Sequence, residues 1–514
     1  MTNSSFASLR ELLETRVRQS PHKEFLFAET TGDLFTYQEF DRAVNHAANL
    51  LLSLGVTTGD RVSLFLTNRG EYLIFYFACF KIGAWAGPVN ALLKSHEVEF
   101  IIRNSEAETV VTQPDLYPVL AECRGNLGTL RNVVVLDAQP SDSAVLYSVP
   151  TRQYLTSGEH ELEPARIKPE DEAVIIYTSG TTGKPKGVLL THGNLLCNAQ
   201  EIATWLELKA DDRALMIMPL FHVNALMTTC LAALWVGGSV VLAPRFSATR
   251  HWEMISRFDV TYFGSVATML SLLNNSYPDG LPAGVEVSRL RFALCGSAPV
   301  PVEVLKRFEA LFGCPVIEGY GLSESTCRST FNPLEGRRPG SVGKSIGNEM
   351  KIFDDADREL RPGQVGEIVM KGANLMKGYY RNDQATREAF RSGWFHTGDM
   401  GYQDEDDYFF VVDRKSDMII RAGENIYPRE IDEVLYQFPK VEEAATIGVA
   451  DELYGEEVKS FVVLRDGAEA TQEEIIEFCR DRLADFKCPK IVEFLKEIPK
   501  GPTGKLLKRE LIRR

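Results

Sequence analysis

The sequence predicts an α/β fold. It is expected to have a large N-terminal domain of layered α/β sheets with a β-rich subdomain, and a small, mobile α+β C-terminal domain. Three observations carry this expectation. Up to about residue 170, helix-like and strand-like segments alternate, the pattern of layered, largely parallel sheets. From Lys351 to Phe410 the chain is strand-like and punctuated by Gly363, Gly366, Gly372, Gly378, Gly393, Gly398 and Gly401. A charged run, Asp413-Arg414-Lys415-Ser416-Asp417, then separates two apolar strand-like pieces. The expected domains are therefore 1–414 and 415–514.

Each element has a local reason. Tyr37 to Leu54 places Phe40, Val44, Ala47, Ala48 and Leu51 on one helical face. Asp60 to Leu66 reads as a strand, Glu71 to Ile82 as a buried helix, and Thr109 to Thr112 and Asn132 to Leu136 as further strands. Val174 to Tyr177 is a short apolar strand that runs into a Gly-rich segment. Ala225 to Ala243 carries no charge and reads as a buried helix, a Gly237-Gly238 turn and a buried strand rather than a membrane span. Leu290 to Leu294 is a strand followed by a turn. Past the charged run, Pro428 opens a helix whose first turns hold Glu430, Asp432 and Glu433, where the helix dipole favours acids. Val441 to Val449 and Ser460 to Leu464 read as strands. Thr471 and Glu474 form a capping-box signature for a helix reaching Leu483.

Composition narrows the function. A chain of 514 residues exceeds one ordinary core, and 44% hydrophobic with 25% charged residues is ordinary globular protein. The net charge of -15 repels a polyphosphate backbone, so nucleic acid is not an expected partner. An anionic nucleotide would need a locally positive site. The nine cysteines are odd in number, widely spaced and form no CxxC pair, which excludes zinc-knuckle and thioredoxin-type readings. Scattered thiols and a polar N-terminus without an apolar core fit a cytoplasmic protein with no transmembrane segment.

The most informative segment is Tyr177-Thr178-Ser179-Gly180-Thr181-Thr182-Gly183-Lys184-Pro185-Lys186-Gly187. Glycines let backbone N–H groups approach a phosphate, hydroxyls donate to it and lysines supply charge. It is not a P-loop. That motif needs Gly six residues before its Lys, where Thr178 stands, and a hydroxyl after it, where Pro185 stands. The segment resembles the signature loop of the adenylate-forming superfamily, which includes acyl-CoA synthetases, adenylation domains of peptide synthetases and beetle luciferases. Further motifs in family order extend the resemblance over nearly the whole chain.

The resemblance implies residue roles. Gly296-Ser297-Ala298-Pro299 would lie against adenine. In Glu318-Gly319-Tyr320-Gly321-Leu322-Ser323-Glu324, Tyr320 would stack on adenine, Ser323 would donate to the α-phosphate in place of the usual Thr, and Glu324 would hold Mg²⁺, with Thr178 beside it. Asp399 would accept both ribose hydroxyls and Arg414 would add a second contact. Thr178 and Lys186 would grip the departing phosphates. Phe221, His222, Val223 and Asn224 would line the acyl pocket, with His222 gating the carboxylate. His396 reads as a packing residue. Lys505, in Gly501-Pro502-Thr503-Gly504-Lys505, would be the catalytic lysine that stabilises charge on the α-phosphate. Gly423 would let the CoA arm pass. The usual hinge residue is Asp or Lys, and here it is Ser416. Lys415 or Asp417 could share the pivot.

The implied activity is ATP-dependent ligation of a carboxylic acid to CoA through an acyl-adenylate, with ATP, Mg²⁺ and CoA as cofactors. The expected acid is a medium- to long-chain fatty acid. The alternatives are an aromatic acid, a carrier protein as thiol acceptor, or an inactive nucleotide-binding regulatory protein. With ten residues after Gly504, free CoA is the expected thiol. A homodimer stays open.

Overall fold

The computed structural model describes residues 6–29, 31–137, 147–149, 161–163, 165–178, 185–297, 300–422, 424–501 and 506–512. Two large sheets form the N-terminal part. The first has seven strands in the spatial order Val316–Glu318, Phe292–Cys295, Tyr262–Ser265, Arg213–Met216, Ser239–Leu242, Glu24–Ala28 and Asp33–Thr36. Its pairings are parallel apart from the last hairpin. The second has eight strands, of which Glu172–Thr178, Trp85–Pro88, Arg61–Phe65, Thr109–Thr112, Asn132–Leu136 and Tyr147–Val149 run parallel. Lys186–Thr191 and Gly378–Tyr379 extend its other edge antiparallel.

Helices cover these sheets for the reasons visible in the sequence. Tyr37–Ser53 starts at a capping box between Thr36 and Glu39 and buries the expected face. Every residue of Gly70–Ile82 is buried, including Lys81, whose Nζ lies 2.6 Å from Asp41 Oδ1 and 2.7 Å from Asn45 Oδ1. The uncharged stretch is helix, turn and strand as expected, but Ala225–Leu231 winds as a π-helix before Ala232–Val236 turns α-helical. Thr228 and Thr229 donate to the carbonyls of Asn224 and Ala225, a back-bonding that competes with regular helical bonds. Among the described residues no helix is long and apolar enough to cross a membrane. The strand expected at Leu290 begins at Phe292, because the Leu290 N–H closes a turn onto Val287.

Asn348–Phe353, Gly366–Gly372, Phe395–Gln403 and Phe409–Arg414 form an antiparallel sheet, the expected β-rich subdomain. Beyond it, Ile419–Arg421, Glu424–Ile426, Val441–Asp451, Gly455–Leu464 and Ile491–Phe494 build a separate sheet. The Thr471 capping box opens Gln472–Arg480. Two apolar clusters draw only on residues 419–511, and the other four draw only on residues before 412. None of the nine cysteines is in a disulfide, and all are buried.

Candidate active site

Parallel strands place ligand-binding loops beyond their carboxyl ends. Thr178 ends its strand, and Thr178 and Lys186 are paired across the hairpin that carries the Gly-rich loop. Ser297 follows Phe292–Cys295, Tyr320 follows Val316–Glu318, and His222 follows Arg213–Met216 by a short turn. Ser179, Gly180, Thr181, Thr182, Gly183, Lys184, Ala298, Pro299, Gly423 and Lys505 lie outside the described residues.

A cleft of about 510 Å³ is lined by Ser297, Tyr320, Asp399 and Arg414 on one side and by Asp432 and Lys508 on the other. The Tyr320 hydroxyl donates to Asp399 Oδ2 at 2.6 Å, and Arg414 Nε lies 3.5 Å from Asp399 Oδ1. Burial, then Asp399, pushes the Tyr320 phenol well above its ordinary range, so it remains a donor. Asp399 and Arg414 face each other across adjacent strands, so sheet register places them together. The glycine beside Tyr320 is required. A Cβ on Gly321 would stand 1.8 Å from the Cys327 carbonyl oxygen.

Glu324 sits on the short turn Ser323–Ser325, half-buried with Ser323. Its Oε1 accepts the Tyr379 hydroxyl at 3.0 Å, and burial raises its carboxyl above the usual carboxylate value. Lys186 Nζ lies 4.9 Å from the Tyr379 ring centre, on the strand beside it. The hairpin carrying Thr178 and Lys186 is thus joined to Glu324 through Tyr379, which the sequence reading did not single out. Tyr379 lies 55 residues beyond Glu324, and only strand pairing brings it in.

Among the residues expected to line an acyl pocket, the His222 ring packs on Phe221, with centroids 4.4 Å apart. Burial pulls its imidazole down to about 4, so it is neutral at physiological pH, and among the described residues its Nε2 has no partner. The Asn224 amide is occupied. It donates to Ser297 Oγ at 3.0 Å and accepts from Thr228 at 2.9 Å. Leu226 and Met227 are fully buried in the core, while Val223 is nearly so. His396 is buried with Nδ1 3.3 Å from Glu367, in keeping with packing. Glu318 is buried, and burial pushes its carboxyl to about 8 against the pull of Arg429 and Arg328.

Residues 13–380 match the AMP-binding enzyme family, and residues 430–505 match the AMP-binding enzyme C-terminal domain. The chain belongs to the AMP-binding enzyme family. It is 36% identical over 510 residues to a sulfoacetate–CoA ligase of Cupriavidus necator, covering 99% of this chain and 98% of that relative. It is 35% identical over 509 residues to a long-chain-fatty-acid–CoA ligase of Bacillus subtilis, covering 94% and 90%. The crystal structure of an anthranilate CoA ligase in complex with anthranoyl-AMP superposes with a TM-score of 0.90 at 28% identity, covering 98% of this chain and 96% of that one. The AMP-binding enzyme fold therefore extends over both parts of the chain.

Proposed function

We propose that this chain, an AMP-forming acid–thiol ligase, joins a carboxylic acid to CoA at the cleft between its two parts. The observation that carries the reading is the Tyr320–Asp399–Arg414 group, whose Arg414 and Asp399 lie within electrostatic reach of Glu324, itself joined through Tyr379 to Lys186: the first group is suited to a nucleoside and the second to its phosphates. In the first half-reaction a carboxylate oxygen attacks the α-phosphorus of ATP, the α–β P–O bond breaks and pyrophosphate leaves. In the second, the CoA sulfur attacks the acyl carbon and AMP leaves.

Mg²⁺ fits the donor set. It binds through few protein carboxylates, water and substrate phosphates; Glu324 would hold it, with the Thr178 hydroxyl as a second donor. When bound, it would neutralise charge on the phosphate oxygens. Lys186 adds a positive charge, and Lys505 is assigned to the α-phosphate in the first step. His222 is a neutral wall of the acid's entrance rather than a base, since a carboxylate is already ionised. Gly423 is assigned to the CoA path. Because Lys505 and Gly423 serve different steps from one small domain, residues 415–514 are assigned a rotation about Arg414–Asp417.

The named relatives act on sulfonated, aliphatic and aromatic acids, so the pocket must decide the acid. Phe221 and Val223 favour a medium- to long-chain fatty acid. Against a long chain, Leu226 and Met227 are spent on the core and the Asn224 amide is already held, which supports a compact acid better. The test is CoA-dependent AMP formation together with acid-dependent ATP–pyrophosphate exchange, across short polar, medium- and long-chain and aromatic acids. Turnover fastest on a short acid is expected. Turnover fastest on long-chain acids would establish the second reading, and no exchange with any acid would remove the ligase reading.

A further inference from the structure

We propose that the acid carries a second anionic group at its far end and that Arg328 receives it. This rests on reading the cleft as the adenylation site. Arg328 follows Glu324 by four residues, on a segment pressed against the Gly319–Gly321 strand end. Its Nη1 donates to the Gly319 carbonyl oxygen at 3.0 Å. A Cβ on Gly296 would stand 2.3 Å from that same Nη1 and 3.0 Å from Cζ. The guanidinium therefore lies directly behind the residues that precede Ser297 and Tyr320, both of which line the cleft. Its chain neighbour Cys327 approaches Asn224, with Sγ 4.0 Å from Oδ1, so the segment reaches the residues assigned to the acid.

What marks Arg328 out is its charge balance. It is 2% exposed, and among the described residues its Nε has no hydrogen-bond partner and its guanidinium no ion pair. Arginine does not escape such burial by losing its proton. The other two cations buried to a tenth or less are paired: Lys81 with Asp41 at 2.6 Å and Arg429 with Glu433 at 3.8 Å. The acid whose field reaches Arg328, Glu318, is itself held near neutral by burial. The Phe331 ring, 5.3 Å away, offers a cation–π contact but no compensating charge. A buried, uncompensated guanidinium is costly unless something anionic completes it. Its planar fork suits a carboxylate or a sulfonate, two sources of the same chemistry. Its place against Gly296, with Cys327 against Asn224, suits a short acid.

The experiment compares wild type with Arg328→Met and Arg328→Lys in ATP–pyrophosphate exchange and CoA-dependent AMP formation. The paired acids are oxalate, malonate, succinate and sulfoacetate against acetate, propionate and butyrate. Wild type is expected to prefer the doubly anionic acids by at least 100-fold in kcat/KM, and the malonate and sulfoacetate arms tell carboxylate from sulfonate. Arg328→Met is expected to lose at least 100-fold on those acids while gaining severalfold on butyrate, with Arg328→Lys intermediate. A uniform loss on all acids is the signature of a purely structural arginine and would overturn the proposal. So would a wild-type preference for the singly charged acids, which decides the matter even if a variant does not fold. Absence of exchange with every acid would instead remove the ligase reading on which the proposal stands.

Discussion

At the scale of single residues, burial and pairing sort the carboxylates by task. Asp399 is held by a phenol and a guanidinium, an arrangement that can reorganise around two ribose hydroxyls. Glu324 is held by one phenol and raised by burial, so it is primed to gain from a cation. Replacing Glu324 by Gln keeps the shape and removes the charge. ATP–pyrophosphate exchange is expected to fall by about 10²- to 10³-fold, the scale of losing one preorganised electrostatic partner. Tyr379→Phe, which removes only the hydrogen bond, should cost less, and equal losses would contradict the division of roles. Glu318 behaves differently. Its folded carboxyl is pushed to about 8 from an ordinary 4.5, so between those values the folded state binds the extra proton. That contribution to stability is fully present below pH 4.5 and is lost as pH rises through 8. Thermal melts from pH 5 to 9 should therefore show wild type losing Tm relative to Glu318→Gln as pH rises. Parallel curves would contradict the buried, protonated assignment.

Secondary-structure elements convert these residues into a site by ending in the right places. The tight crossing at Gly321 shows how little slack there is. Gly321→Ala would drive a methyl into the Cys327 carbonyl, which is backbone and cannot step aside. The expected cost is about 1–3 kcal/mol of stability from overpacking. It should be accompanied by a loss of exchange activity greater than the melting shift explains, because the displaced segment carries Arg328. A variant with wild-type melting and exchange would show that the segment can move. Much of this level was legible in the sequence. The strand that ends in Thr178, the turn after Cys295 and the Tyr320 strand end all announce themselves by apolar runs stopping at Gly and Ser. Tyr379 and Arg328 did not, because nothing in their local spacing differs from an ordinary strand or loop residue. Their roles come from chain crossings set by sheet order. Asn224 was legible as polar among apolar neighbours, but its partners Ser297 and Thr228 are fixed only by the fold. The π-helical winding was hidden too, and the pair of threonine hydroxyls that bond backward along it is seen only in the fold.

For the whole molecule, the question is what holds the C-terminal part against the rest while leaving it free to move. Among the described residues apolar clusters do not cross residue 412, and polar contacts bridge the two parts: Asn275 to Glu442, the Val302 N–H to Glu433, and Arg429 to the Val411 carbonyl and Asp413. Polar, partly hydrated contacts of this kind suit an interface that must open. Lys508 bridges the two parts, with Nζ 3.8 Å from Asp413 at the start of the charged run and 3.8 Å from Asp432 on the helix after it. Burial works to lower its ammonium, but Asp432 and Asp413 outweigh it and hold the group above its ordinary value. Lys508→Met should leave two carboxylates facing each other without their shared cation. The docked arrangement would then loosen, and tryptic cleavage at Lys415, in the turn between the two parts, should quicken by about tenfold, the scale of losing one such coupling. Asp413→Asn introduced with Lys508→Met should restore slow cleavage, because it removes the repulsion rather than the bridge. Wild-type cleavage in the single variant, or failure of the double variant to recover, would show that the lysine does not clasp the two parts and that the charged run keeps its place by other contacts.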